Sequence, residues 1–420
     1  MANRMFMFKI FLVVFTIIID LYVFIGIISL LKDQGTPIKI FTSIAFWGVT
    51  AAFLISFLFF FRFDSGQRDP AGLSGIFLLI GIYTLVYLPK VVFISFRGAE
   101  DLIWAGSWTA RLGAKLFTGA ELSTVRLPVL SMIGLGVSTI PFIAILWGLL
   151  FGRFHYQVEE VEIKFKNLPK SLEGLTIVHL SDIHLGSVYG KEKQVQKAIE
   201  IVNGLEPDLI LFTGDLVNNF TEEAHGWEGL FASMKARYGK YSILGNHDYG
   251  DYWEWKSKHE KVENMRMFFD VHRDMGFRLL RNDHDTVSIN GELLAIMGVE
   301  NWGQPPFKQY GDLEKSMRDL PDSVFTILLS HDPSHWDAQV AIYTDIPLTL
   351  SGHTHAMQFG VKLGKFRWSP SQYIYKRWMG LYRQNDQALY VNRGLGFIGF
   401  PGRIGLRPEI AIITLKRYGD

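Results

Sequence analysis

Hydrophobic positions divide this chain into two unlike halves. Up to about residue 152 they come in long unbroken runs. Four segments, Lys9–Leu31, Phe41–Phe61, Gly75–Phe96 and Pro128–Phe151, can each cross about 30 Å of hydrocarbon, which takes about 20 helical residues. The first contains FLVVFTIIIDLYVFIGIISLL, longer than a signal-peptide core and without a small-residue cleavage site. Three more spans follow, so the pattern predicts a retained membrane helix. From about His155 the rhythm changes: Val161, Ile163 and Phe165 alternate with Glu162 and Lys164, as in a strand. Short apolar runs then end in polar residues: LTIVHLSDIH (175–184), DLILFTGD (208–215), YSILGNHD (241–248), LLAIMGVEN (293–301), FTILLSHD (325–332) and IPLTLSGHTH (346–355). Runs without strict alternation suit strands buried on both faces with helices between, and Lys191–Gly204 and Glu263–Met275 read as two such helices. The expected organisation is a four-helix transmembrane domain over 1–152 followed by an α/β domain over 153–420.

Two features break the apolar runs. Asp20 lies inside the first span, and Pro89-Lys90 interrupts the third. An ionisable group in hydrocarbon suggests function by default. No further acidic or basic group inside the spans completes a relay, so the expectation is structural: a bundle-facing Asp20 bonded to another helix, and a snorkelling Lys90. Four spans put both termini on one side. Arg4, Arg62, Arg68, Arg153 and Lys164 then face that side, and Lys32, Lys39, Arg97, Arg111, Lys115 and Arg126 the other. The positive-inside rule is nearly balanced and does not orient the chain.

Composition excludes whole classes of chemistry. The net charge of +1 gives no global field for nucleic acid, and none is expected as a partner. With no cysteine there are no disulfides, thiolate metal sites or cysteine nucleophiles, although the compartment stays open.

The chemistry gathers where the apolar runs end. Asp182 and His184 sit at i and i+2, which on an extended chain point to one side. Asp215 follows a glycine, as do Asn246, His247 and Asp248. His331 ends the next run, and His353 and His355 repeat the i, i+2 spacing after Gly352. Hard oxygen and imidazole donors from five loops suit Mn, Fe, Zn or Co rather than Mg or Ca alone. They are too many for one ion, and two ions sharing a carboxylate would use them all.

Ser181-Asp182-Ile183-His184, Gly214-Asp215, Gly245-Asn246-His247-Asp248, Ser330-His331 and Gly352-His353-Thr354-His355 resemble the five blocks of the calcineurin-like metallophosphoesterase family, in the family's order. The resemblance covers about residues 158–418. It is nearest the membrane-associated bacterial branch of YkuE- and YaeI-like phosphoesterases and UDP-2,3-diacylglucosamine pyrophosphatases, which the ending ValAsnArgGlyLeuGly (391–396) with ArgProGlu (407–409) also resembles. It implies a layered β-sandwich flanked by helices. It also implies two divalent ions, with Asp182, His184 and His355 on the first, Asn246, His331 and His353 on the second, and Asp215 bridging. His247 would face the scissile phosphate and protonate the leaving oxygen or stabilise its charge, with Asp248 orienting it. The family often has Gly-Gly-Gln after the last block, where this chain has Ala356-Met357-Gln358.

The expected activity is hydrolysis of a phosphoester or pyrophosphate at the membrane, on a lipid-linked substrate. The alternative is a regulatory or sensor membrane protein carrying a phosphoesterase-like module. A fold that has lost turnover fits poorly with a complete ligand set and His247. Branch resemblance points to an inner-membrane protein with a cytoplasmic catalytic domain. Gly394-Leu-Gly396-Phe-Ile-Gly399 fits GxGxxG, but Pro401 and Gly402 follow at once, so it reads as a turn-rich connection. Lys365–Arg383 is basic and rich in Trp and Tyr, which fits a membrane interface, a substrate cleft or a packed surface loop. Tyr249–Phe269 reads as an amphipathic surface helix, with a cap over the site as the alternative.

Overall fold

A computed structural model of the chain describes residues 2–60, 68–321, 323–364 and 366–418, without the side chains of 2–6, 8–9 and 58–60. Phe61, Arg62 and Lys365, and the side chains of Arg4 and Lys9, lie outside the described residues. The chain divides into two compact units, Met1–Asp64 with Leu79–Trp147 and Ser65–Leu78 with Gly148–Asp420.

The first unit is built from α1 (Ala2–Leu30), α2 (Thr36–Phe60), α3 (Pro70–Thr118) from Leu79 onward and α4 (Pro128–Leu150) as far as Trp147. All four helices are long and apolar enough to cross a membrane. Phe41, Ile44, Ile140 and Ile143 are exposed, as side chains in contact with lipid would be. Ile19, Val23, Phe53, Tyr87 and Phe93 pack inside. Gly134 lets α4 approach α3 closely, because a Cβ there would lie 2.6 Å from Cβ of Phe96.

Two expectations fail in this unit. Pro89 does not interrupt the third span, since α3 continues through it to Thr118. Lys90 does not snorkel: its Nζ lies 2.6 Å from Oδ1 of the fully buried Asp20. Thr50 and Tyr87 donate to Oδ2 of the same carboxylate at 2.5 and 2.8 Å, so three helices meet on Asp20. A lone charge among apolar side chains is costly, and the opposite charge of Lys90 on α3 offsets it. Further along α3, buried Arg97 pairs with Glu100 and Asp101 at 3.3 Å each, and Ser131 of α4 donates to Glu100 at 2.5 Å.

Among the described residues, the second unit carries fourteen strands: β1 (Gln157–Phe165), β2 (Thr176–Leu180), β3 (Leu209–Phe212), β4 (Lys240–Ser242), β5 (Arg278–Leu279), β6 (Asp283–Ile289), β7 (Glu292–Gly298), β8 (Phe325–Leu329), β9 (Leu348–Ser351), β10 (Val361–Leu363), β11 (Phe366–Trp368), β12 (Gly380–Gln384), β13 (Gln387–Val391) and β14 (Glu409–Arg417). One six-stranded sheet has the order β1-β14-β2-β3-β4-β5, and the other β12-β13-β9-β8-β7-β6. In the first, β2, β3, β4 and β5 run parallel; in the second, β7, β8, β9 and β13 do.

The apolar runs are explained by burial on both faces. Ile177, Leu209, Leu211, Ile327, Leu329, Leu348 and Leu350 fill the layer between the sheets. Their neighbours Val178, Ile210 and Phe212 face outward onto α5 (Glu192–Gly204), α6 (Glu228–Ala232) and α7 (Lys258–Asp274), through Val195, Ala198, Ile199, Phe231, Phe268 and Val271. On the far side Leu328, Leu389 and Val391 meet Trp336, Val340 and Leu313 of α8 (Leu313–Met317). The result is a helix–sheet–sheet–helix sandwich. Within it, α7 starts five residues before the sequence suggests, where the Ser257 side chain accepts the Glu260 N–H and caps the helix.

Candidate metal centre

The carboxyl ends of β2, β3, β4, β8 and β9 share one rim, and each runs into a polar loop. Asp182 follows β2, Asp215 follows β3, Asn246–Asp248 follow β4, His331 follows β8, and His353 and His355 follow β9. The loops are not extended. Asp182 and His184 both have φ of +53°, Asp215 +58°, His353 +69° and His355 +49°. The i, i+2 spacing therefore brings the side chains together by left-handed turns rather than by strand alternation. Such turns need close backbone approach. A Cβ on Gly352 would lie 1.8 Å from Oγ of Ser181 and 2.2 Å from Oδ2 of Asp182.

Two groups of side chains converge, Asp182 with His184 and His355, and Asp215 with His331 and His353, with donor atoms in each group within 4.8 Å of one another. Nε2 of His184 and Nε2 of His355 are 3.0 Å apart, and Nε2 of His355 is 3.2 Å from Oδ1 of Asp182. Oδ2 of Asp215 lies 3.6 Å from Nε2 of His184 and 3.2 Å from Nε2 of His331, so it faces both groups. Oδ1 of Asn246 is 3.1 Å from Nε2 of His331 and 2.8 Å from Nδ1 of His353.

The protons on these rings show what the cluster fits. His331 Nδ1–H donates to the Thr213 carbonyl at 2.7 Å, which leaves Nε2 as a lone pair aimed inward. His353 presents Nδ1 inward while its Nε2 meets Tyr375 Oη at 2.9 Å and Asp332 at 3.5 Å. With both rings neutral, Asp215 Oδ2, Asn246 Oδ1, His331 Nε2 and His353 Nδ1 converge as acceptors. Acceptors packed this way in a buried space repel one another unless a cation lies between them. The field agrees. Burial opposes charge on His331, yet the Asp215 and Asp182 carboxylates outweigh it and push the ring up to about 10, so the field favours a positive charge at Nε2. Asp182 and Asp215 are both held below the usual carboxylate range: burial opposes this, but the neighbouring histidines prevail. His184, with weaker acidic neighbours, is driven down to about 3 by burial. The residues present thus fit two divalent cations.

His247 stands beside this cluster, its ring 5.1 Å from that of His184. Nδ1–H donates to the Asn218 carbonyl at 2.8 Å, which turns Nε2 the other way. The expectation that Asp248 orients His247 is corrected here. Buried Asp248 instead accepts the N–H groups of Asp215 (2.8 Å), Leu216 (2.8 Å), Val217 (3.2 Å) and Gly245 (2.9 Å), tying the β3 and β4 loops together. Burial, with the Asp215 charge adding to it, pushes Asp248 up to about 8 against the pull of these donors. The Asn218 carbonyl is placed in turn by buried Glu223, which accepts the N–H groups of Asn218 at 2.6 Å and Asn219 at 2.9 Å.

Tyr252 and Tyr375 were not singled out by their types. Asn246 Nδ2 donates to Tyr252 Oη at 2.9 Å, and Tyr375 meets His353. Both lie in the aromatic-rich stretches, which was their only signal. The basic-aromatic stretch proves mixed: Tyr375 reaches the site, Trp378 and Met379 are buried, and Lys376 and Arg377 pair with Asp337 at 3.0 and 3.3 Å. Arg403 is fully buried and donates to the carbonyls of Gly394, Gly396 and His355. The GxGxxG stretch supports the first ligand turn, Gly396 N–H donating to the Asp182 carbonyl at 2.8 Å, with no helix after it. Ala356, Met357 and Gln358 have φ of +47°, +49° and +57°, values at which glycine would be unstrained. Gln358 still bridges loops, donating to the Phe400 carbonyl and accepting the Ile398 N–H.

Residues 3–153 match the family profile described as probable calcineurin-like phosphoesterase, transmembrane domain, and residues 175–357 match that of calcineurin-like phosphoesterase. An uncharacterized metallophosphoesterase, YkuE, of Bacillus subtilis (strain 168) is 33% identical over 268 residues, 62% of this chain and 85% of that protein. A transmembrane protein with metallophosphoesterase domain of Danio rerio is 33% identical over 269 residues, but the match spans only 57% of its length. An uncharacterized metallophosphoesterase of Aquifex aeolicus (strain VF5) is 28% identical over 284 residues, 66% of this chain and all of that protein.

Proposed function

This chain belongs to the calcineurin-like phosphoesterase family, and we propose from that premise that it hydrolyses a phosphoester or pyrophosphate on a lipid-linked substrate at the membrane that its four helices cross. The observation that carries the reading is the convergence of Asn246 Oδ1, His331 Nε2 and His353 Nδ1 with Asp215, a carboxylate facing both groups of side chains. In this reading Asp182, His184 and His355 would hold one divalent ion, Asn246, His331 and His353 would hold the other, and Asp215 would serve both. Mn, Fe, Zn or Co suits these ligands. When bound, such a pair brings the pKa of water toward neutrality and offsets phosphoryl charge.

The chain's own residues do the rest. His247 holds one proton on Nδ1 against Asn218, so Nε2, when it carries the ring's second proton, is the atom that passes it to the leaving oxygen and returns to a neutral ring. Asp248 keeps the β3 and β4 loops in register, so that Asp215 and Asn246 keep their spacing. Tyr375 and Asp332 fix the tautomer of His353, as partners of ligating histidines do. A lipid-linked substrate agrees with an active domain that is held beside a bilayer, where an amphiphile is already concentrated. The branch resemblance favours the cytoplasmic face of the inner membrane.

The test is turnover by the purified full-length protein of an aryl phosphate and of a lipid-linked pyrophosphate, with Mn, Fe, Zn or Co added. Metal-dependent hydrolysis is expected. Full binding of two ions with no turnover of either substrate would favour the regulatory alternative.

A further inference from the structure

The hairpin β10–β11 follows the last ligand turn. Its register sets Val361 against Trp368, Lys362 against Arg367 and Leu363 against Phe366. Strand alternation therefore places Val361, Leu363, Phe366 and Trp368 on one face and Lys362 with Arg367 on the other. A hairpin lying on a water-soluble domain turns its apolar face inward, but this one is reversed. Lys362 Nζ bonds both carboxylate oxygens of Glu159 at 2.8 Å. Arg367 donates to the Met379 carbonyl, and its guanidinium lies over the rings of Trp378 and Tyr382. The apolar face is left open: Leu363 is 70% exposed, Phe366 60%, Tyr373 75% and Ile374 67%. The ring of Phe359 packs edge-on against Trp368 at 5.8 Å, and Trp368 Nε1–H reaches Tyr373 Oη at 3.4 Å, so the patch is continuous.

We propose that this face docks onto the lipid bilayer. Three observations select lipid as the occupant. The patch carries Trp and Tyr among Phe, Leu and Ile, the mixture favoured where hydrocarbon meets headgroups. Among the described residues, the hairpin's charges, Lys362 and Arg367, are turned away from it and paired within the domain, as a hydrocarbon surface requires. The bilayer is within reach, because Lys362 pins the hairpin to β1, which begins at Gln157, while the last apolar helix ends at Leu150. The chain between them spans no more than roughly 25 Å when fully extended. The patch also adjoins the metal centre at both ends. Met357, 47% exposed, is on the turn that carries His355, and Tyr375 follows Ile374 and touches His353. Docking there opens the ligand cluster toward the headgroups.

The experiment reads docking alone and does not depend on turnover. The chain has no native cysteine, so Leu363→Cys, Phe366→Cys and, as control, Lys197→Cys on the exposed side of α5 each carry a single thiol. Each full-length variant is labelled with an environment-sensitive fluorophore and reconstituted in phosphatidylethanolamine–phosphatidylglycerol vesicles. Quenching is then measured with spin-labelled phospholipid and with iodide. Docking predicts several-fold stronger lipid quenching at 363 and 366 than at 197, with iodide access in the reverse order. Iodide quenching at 363 and 366 equal to that at 197 would overturn the proposal, since the face would then be in water. Shielding from both quenchers would also overturn it, and would assign the face to a second copy or another protein.

Discussion

Replacing Lys90 with Met removes the counter-charge of a carboxylate with no solvent exposure. At 2.6 Å, and with an effective dielectric of about 20, the Asp20–Lys90 attraction is roughly 6 kcal/mol. Much of that offsets desolvation, so the useful figure is the cost of leaving one partner alone, about 3–5 kcal/mol. Thr50 and Tyr87 still donate to Oδ2 in the variant, which places the expectation near the lower bound. Adding Asp20→Asn restores neutrality while keeping an oxygen for both hydroxyls. The double variant should lose only about 1–2 kcal/mol, the cost of one unpaired polar group. The two changes then couple by at least about 1–2 kcal/mol, and by more according to what Asp20→Asn costs alone, which a double-mutant cycle resolves. Reversible unfolding of the full-length protein in mixed micelles, titrated with a denaturing detergent, supplies the free energies. A single variant within about 1 kcal/mol of wild type, or strictly additive losses, would refute a buried, paired charge.

Three further outcomes follow from the catalytic domain. His247→Ala should retain both metals but lose about 10²–10⁴ in rate; the loss should be smaller for good leaving groups, and an equal loss for all of them would indicate charge stabilisation instead. Glu223→Gln offers one oxygen where two now accept backbone N–H groups, so thermal unfolding should show a loss of about 1–3 kcal/mol; an unchanged midpoint would contradict that bonding. Gly352→Ala puts a methyl group onto Ser181 and Asp182, and displacing a ligand by about 1 Å should cost at least about a hundredfold in rate; wild-type turnover would mean that the turn yields freely.

The candidate cluster was legible because strands buried on both faces turn polar mainly where they end. Ile177 and Val178 enter different core layers, so Asp182 stands out as the first acidic group after that run. The geometry was less legible. Extended alternation pairs Asp182 with His184, and the two do lie together, yet the backbone brings them there through left-handed turns that residue types alone do not reveal. The Asp20–Lys90 pair depends on how α1 and α3 are registered against each other, and no local pattern encodes that. Asn218 acts through its carbonyl, which has no side-chain signature, and so Asp248 was given its task. Arg403 sits in a glycine-rich tail, and only its burial against His355 shows its importance. The hairpin's inversion likewise becomes visible only once cross-strand partners are known.

The central claim is a pair of metal ions joined through Asp215. Elemental analysis of the purified full-length protein and of Asp215→Ala, with turnover measured on the same samples, tests it most directly. The account predicts two ions per chain in the wild type, and joint loss of metal and activity in the variant. Two ions per chain persisting in Asp215→Ala, or full activity in a wild-type sample holding fewer than two, would contradict it.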